Sequence, residues 1–192
     1  MATIFRETEA HWNFFLAIED DLDRLSRFIE FDKRNFKCFS LEISRILLAS
    51  CAEIDVVCKQ ISKKINPSSS ADNINQYRDE IKPKFSAIPK LKVLLPRHGI
   101  KLIPWRAWND RKGIPPVWWT AYNKIKHERD AEFHRANLQN ALNAVGGLLI
   151  MVLYLYLDKA QKIELFPWTK LLHVPDEGFD MVTNKGYYPI LE

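Results

Sequence analysis

The sequence predicts a mainly α-helical fold, a bundle of four to five helices with a small β-hairpin inserted between the second and third long helices. Three observations carry that expectation. Two long amphipathic stretches fill the first 64 residues, separated by a short polar break. A run without proline extends from Pro116 to Pro167, long enough for the main helical part of the second half. Between them, residues 90–105 place two alternating or apolar runs around Pro96-Arg-His-Gly99, which reads as a hairpin. One domain covers 1–192, with a bundle core at about 8–64 and 117–157, an insertion at about 65–116 and a loop-rich tail over 158–192.

In chain order, the first helix is expected from about Thr8 to Phe31. Trp12, Phe15, Leu16, Leu22, Leu25 and Ile29 recur at helical spacing, while Glu19, Asp20, Asp21 and Asp23 take the other side. Asp32-Lys-Arg-Asn35 breaks it. Ser40 is a good N-cap for a second helix to about Lys64, with Glu42 in the first turn. Its apolar stripe is Ile43, Ile46, Leu47, Ser50, Ile54, Val57, Cys58 and Ile61. Two such helices joined by a short loop pack antiparallel. Asn66-Pro-Ser-Ser-Ser-Ala reads as a loop, and Asp72 as the cap of a short third helix that ends before Pro83.

Trp105, Trp108, Trp118 and Trp119 then crowd into fifteen residues. They either plug the seam where the hairpin packs on the bundle or offer a platform for stacked bases. Pro115-Pro116 leaves Trp118 or Thr120 as the start of the longest helical signal, which continues to Leu157. On a continuous helix Asn123, His127, Asp130, His134 and Asn137 fall within about 40 degrees of Asn123, a polar stripe over four turns. Gly146-Gly147 interrupts the apolar run that follows, allowing close packing or marking a break. Residues from Phe166 onward read as extended chain with one small hairpin and no assigned function.

Composition narrows the class. A chain of 192 residues, 47% hydrophobic and 27% charged, is a globular protein with a core of its own. Cys38, Cys51 and Cys58 form no CxxC pair, and two of them lie seven apart on an apolar face, where they read as small buried hydrophobes. Their odd number, with no leader read ahead of them, favours a cytoplasmic location. Val145–Leu157 is too short for a bilayer and suits a buried helix, so no membrane partner is expected. The net charge is only +4, yet residues 6–32 sum to −5 and residues 82–135 to +9. That asymmetry fits an anionic partner on one face, or an acidic helix covering a basic segment.

No phosphate loop, GxSxG elbow, HExxH or paired-cysteine zinc site occurs. What remains is Arg129-Asp-Ala-Glu-Phe-His134, preceded by Tyr122-Asn-Lys-Ile-Lys-His127. An arginine and a histidine separated by four residues, a polar residue after the arginine and an Asn-x-x-Lys-His stretch ahead of them resemble the HEPN superfamily. The resemblance covers roughly 8–64 and 117–157 and leaves the hairpin and tail without a counterpart.

It implies metal-independent endoribonuclease activity without a cofactor, in a cleft shared by two motif helices of a homodimer. The chemistry is consistent with the residue types. Cleavage by the ribose 2′-OH needs a group that exchanges protons near neutral pH, and the phosphorane charge suits a guanidinium. By the same resemblance His134 is acid or base, Arg129 the phosphate clamp and Asp130 the group that orients them. Asn123, Lys126 and His127 are supporting or substrate-binding. A toxin or defence effector with an antitoxin partner is the expected setting. The alternative is a catalytically silent HEPN-like module that dimerises or binds nucleic acid. Two further expectations attach to these residues. His127, Asp130 and His134 could hold a divalent ion if His98 or Glu53 supplied a fourth ligand. Glu53 or Asp55 is expected to pair with Lys126 or Arg129 across the bundle.

Overall fold

A computed structural model describes residues 9–110, 113–161 and 165–175. Over these residues the protein is mainly helical with one two-stranded sheet, as the sequence predicts. Helix α1 spans Ala10–Leu25, α2 Leu41–Ile65, α3 Ile74–Lys84, α4 Val117–His127, α5 Arg129–Glu132, α6 Leu138–Leu155 and α7 Leu157–Gln161.

Helix α1 stops six residues short of Phe31, where Ser26 Oγ turns back on the Asp23 carbonyl at 2.7 Å. Phe31 is still buried, reached through turns rather than through helix. Ser40 caps α2 as expected, accepting the Ile43 N–H at 3.2 Å, and the whole predicted stripe is buried. For α3 the cap is Asn73, not Asp72, accepting the N–H groups of Asn75 and Gln76. Its last turn carries Pro83, and the helix ends at Lys84, two residues past the expected stop.

Polar contacts give the helix directions. Asp21 meets Arg45 at 2.8 Å and His11 meets Glu53 at 2.5 Å, so α1 runs antiparallel to α2. Phe39 bridges Asn137 ahead of α2 and α6, and Lys64 Nζ donates to the Leu155 carbonyl at their far ends. Thus α2 and α6 are parallel neighbours, which requires the long connection that carries α3, the hairpin and α4. Helix α4 returns antiparallel beside α6.

The hairpin forms where alternation placed it, with Val93–Leu95 (β1) against Ile100–Leu102 (β2) in the register Val93↔Leu102. A 3₁₀ turn and Gly99, at φ 60, close it in the left-handed region that glycine tolerates. The tail adds one bridge from His173 to Leu94. Within 165–175 it makes no hairpin of its own, and the later part of that expectation lies outside the described residues.

The four tryptophans settle as a seam. Trp105 Nε1 donates to the Gly147 carbonyl and Trp118 Nε1 to the Pro104 carbonyl, and all four rings are buried. Trp105 and Trp118 meet edge-on with centroids 5.0 Å apart. Buried rings cannot take bases, so the stacking alternative does not apply to them. Gly146-Gly147 lies inside unbroken helix. A Cβ at Gly147 would sit 3.2 Å from Trp118 and one at Gly146 3.2 Å from Pro104, so the pair permits close approach.

Candidate functional site

The segment expected to continue one helix from Trp118 to Leu157 is divided. Glu128 leaves helical geometry at φ −134 and ψ 40, and α4 ends at His127. Residues 129–132 form one short turn of helix, Phe133–Arg135 a 3₁₀ turn, and α6 begins at Leu138. The charges explain the stop. Lys124, Lys126 and His127 crowd the last turn of α4, where cations suit the carbonyl end, and Asp130 and Glu132 follow in the next turn. Asn137, placed in the polar stripe by periodicity, instead caps α6 by accepting the Asn140 N–H at 3.0 Å. The single stripe therefore does not exist. Asn123 and His127 belong to α4, Asp130 to α5, His134 to the 3₁₀ turn and Asn137 to a cap.

Each candidate side chain except Asn137 is nevertheless exposed: Asn123, Lys126, His127, Arg129, Asp130 and His134 all face outward. The Arg129 guanidinium lies 5.3 Å from the centre of the Phe133 ring and has no carboxylate partner among the described residues. Lys126 sits 5.7 Å from the ring of Tyr122. His134 is 60% exposed, with Nε2 3.9 Å from Glu132. Glu132 is engaged mainly by Arg135, whose hydrogen bond holds its carboxyl below the usual range, and Glu128 is paired with Lys124 at 2.8 Å. Two of the three local carboxylates are thus neutralised by neighbours other than Arg129.

The expected link from Glu53 or Asp55 to this segment is not made. Asp55 accepts from Tyr77 at 2.7 Å and pairs with Lys59, while Glu53 takes the Nδ1–H of His11. His98 is packed against Phe31 with ring centres 4.9 Å apart. Neither proposed fourth ligand reaches the motif, and no cluster of three metal-ligating side chains occurs among the described residues.

Two polar features escaped the sequence reading. His11 Nδ1 binds Glu53 and its Nε2 contacts the Gln60 amide at 2.6 Å, so both ring nitrogens are occupied in a structural link between α1 and α2. Glu19, assigned to the solvent side of α1, is buried and accepts the backbone N–H groups of Lys170, Leu171 and Leu172. Periodicity could not reveal it, because its partners are 151 to 153 residues away. Around it, Asp20 pairs with Lys170 and Asp23 with Arg97, so part of the acidic helix does cover basic chain. The chain matches no family model, no curated protein and no solved structure.

Proposed function

We propose that the protein is a HEPN-like, metal-independent endoribonuclease, with Arg129 as phosphate clamp and His134 as proton-transfer group. One observation supports this most directly. Both side chains are exposed on one short kinked segment, and Arg129 rests on an aromatic ring rather than on a carboxylate. A guanidinium held that way keeps its donors for two phosphate oxygens. His134 takes or returns the proton of the 2′-OH, Asp130 orients the pair, and Asn123, Lys126 and His127 border the strand. A second copy completes the cleft, and a toxin or defence role with an antitoxin partner is the biological setting.

A second reading, a silent binding or dimerising module, draws on Glu128, Asp130 and Glu132 in the same segment. Lys124 and Arg135 offset two of them, and the charge of Asp130 beside a phosphate site weakens anion binding. RNA cleavage with EDTA present separates the two readings. Cleavage that persists in EDTA and disappears in Arg129→Ala and His134→Ala supports the enzyme. RNA binding without cleavage supports the module, and cleavage abolished by EDTA would remove the metal-independent mechanism.

A further inference from the structure

We propose that Phe39 and Phe133, with Arg129 above, form a stacking seat for an unpaired nucleobase, making single-stranded RNA the substrate class; this rests on the RNA-directed reading above. Phe39 is 49% exposed although it sits at a well-tied point of the chain. Its ring meets Phe133 edge-on, centroids 5.8 Å apart at 88°. Phe133 in turn carries the Arg129 guanidinium.

The backbone holds this group in place. Leu138 N–H donates to the Cys38 carbonyl at 2.9 Å and Gln139 N–H to the Phe36 carbonyl at 3.1 Å. The loop before α2 is thereby stitched to the segment that carries the motif. These main-chain hydrogen bonds hold the backbone that carries Phe39, so its use in binding incurs little further backbone-ordering cost.

The charge around the rings selects the occupant. Lys33 and Lys37 are exposed on the loop that carries Phe39, and neither they nor Arg129 forms a salt bridge among the described residues. An aromatic face beside unpaired cations matches a base with its phosphates, because every base offers a π-face and every nucleotide a negative charge. A base inside a duplex keeps its faces stacked on its neighbours and cannot enter. The exposed Leu41 nearby makes a second copy of the chain the competing occupant.

The test measures anisotropy of short labelled 2′-O-methyl oligonucleotides, which resist 2′-OH cleavage, with thermal melts confirming that each variant folds. Phe39→Ala should weaken single-strand binding about ten-fold, the loss of one stacked base. Phe39→Leu, which keeps apolar packing on Phe133, should fall with it, and Phe39→Trp should bind at least as well as wild type. Duplex and abasic strands should bind alike in all four proteins.

Equal single-strand binding by all four, an equal loss on the abasic strand, or no binding by wild type overturns the seat. RNA cleavage is followed in parallel. Cleavage indifferent to Phe39 overturns the seat and leaves the nuclease standing. A Phe39-dependent binder that never cleaves supports the seat and removes catalysis. Light scattering that shows Phe39→Ala only converting dimer to monomer assigns the patch to a contact between copies and overturns the seat.

Discussion

Helix α6 and the ten residues that precede it are adjacent in the chain and opposite in physical character. Sixteen of the 18 residues of α6 are buried, and its neighbours enclose it: α1, α2, α4 and the tryptophan seam. Residues 128–137 bury only Ala136 and present Glu128, Arg129, Asp130 and His134 to solvent. A helix apolar on all sides organises a core. A short segment broken by charge, tied down at its ends and polar outside, presents groups without contributing much to stability. The molecule thus separates what holds it together from what meets a partner, and mutations should separate the same way.

The largest stability loss should come from the seam around α6. Trp105 is fully buried and its Nε1 bonds the Gly147 carbonyl, so Trp105→Ala leaves a cavity and loses that hydrogen bond. About 3–5 kcal/mol of stability should be lost, read as a lower urea midpoint. A loss under about 1 kcal/mol would mean that the seam is not part of the cooperative core. On the other side of the comparison, Arg129→Ala and His134→Ala should leave the midpoint within about 0.5 kcal/mol. Cleavage should fall about 10²-fold to 10⁴-fold, the range for losing a proton-transfer group or a charge-stabilising donor. Destabilisation of several kcal/mol by either would make the segment structural and break the contrast.

The junction sharpens it further. Asn137→Ala removes the α6 cap and should cost about 1 kcal/mol, whereas Asn137→Asp should keep most of that. Neither should alter cleavage, because Asn137 serves the helix and not the surface.

Legibility in the sequence followed the range of the interactions. The α2 cap and the hairpin with its glycine turn were readable because each is set by residues a few positions apart. The glycine pair left close packing and a helix break both open, since the side chains it admits, Pro104 and Trp118, lie far away in the chain. The break at Glu128 was also written locally, in the basic last turn of α4 and the asparagine before Leu138. Helical periodicity overrode those end signals, since 100 degrees per residue fits any polar set on a long enough helix. The parallel α2–α6 pairing, the His11–Glu53 link and the buried Glu19 depend on partners between 42 and 153 residues away, where pattern is silent.

Carboxylates carry the contrast to its smallest effect. Burial raises the Glu19 pKa above its usual 4.5, outweighing the backbone N–H groups of residues 170–172 and the charge of Lys170, all of which lower it. The folded state therefore holds this proton more tightly than the unfolded chain. The stability it contributes is complete below about 4.5 and is lost as pH rises through the raised folded value. Glu132 acts in the opposite sense. Arg135 lowers its pKa, so its contribution is present above 4.5 and is lost as pH falls through the lowered folded value. Its partner Arg135 is exposed at 41%, so the pair should be weak and salt-sensitive. Urea midpoints of wild type and Glu19→Gln, taken at rising pH, isolate the buried term, because the variant cannot titrate there. The difference should move in favour of the variant as pH climbs above 4.5, and Glu132→Gln should show the reverse trend, faintly, on the acid side. A pH-independent difference for Glu19 would mean that the amide donors compensate fully for its burial, leaving the charge as well accommodated inside the bundle as on the exposed segment.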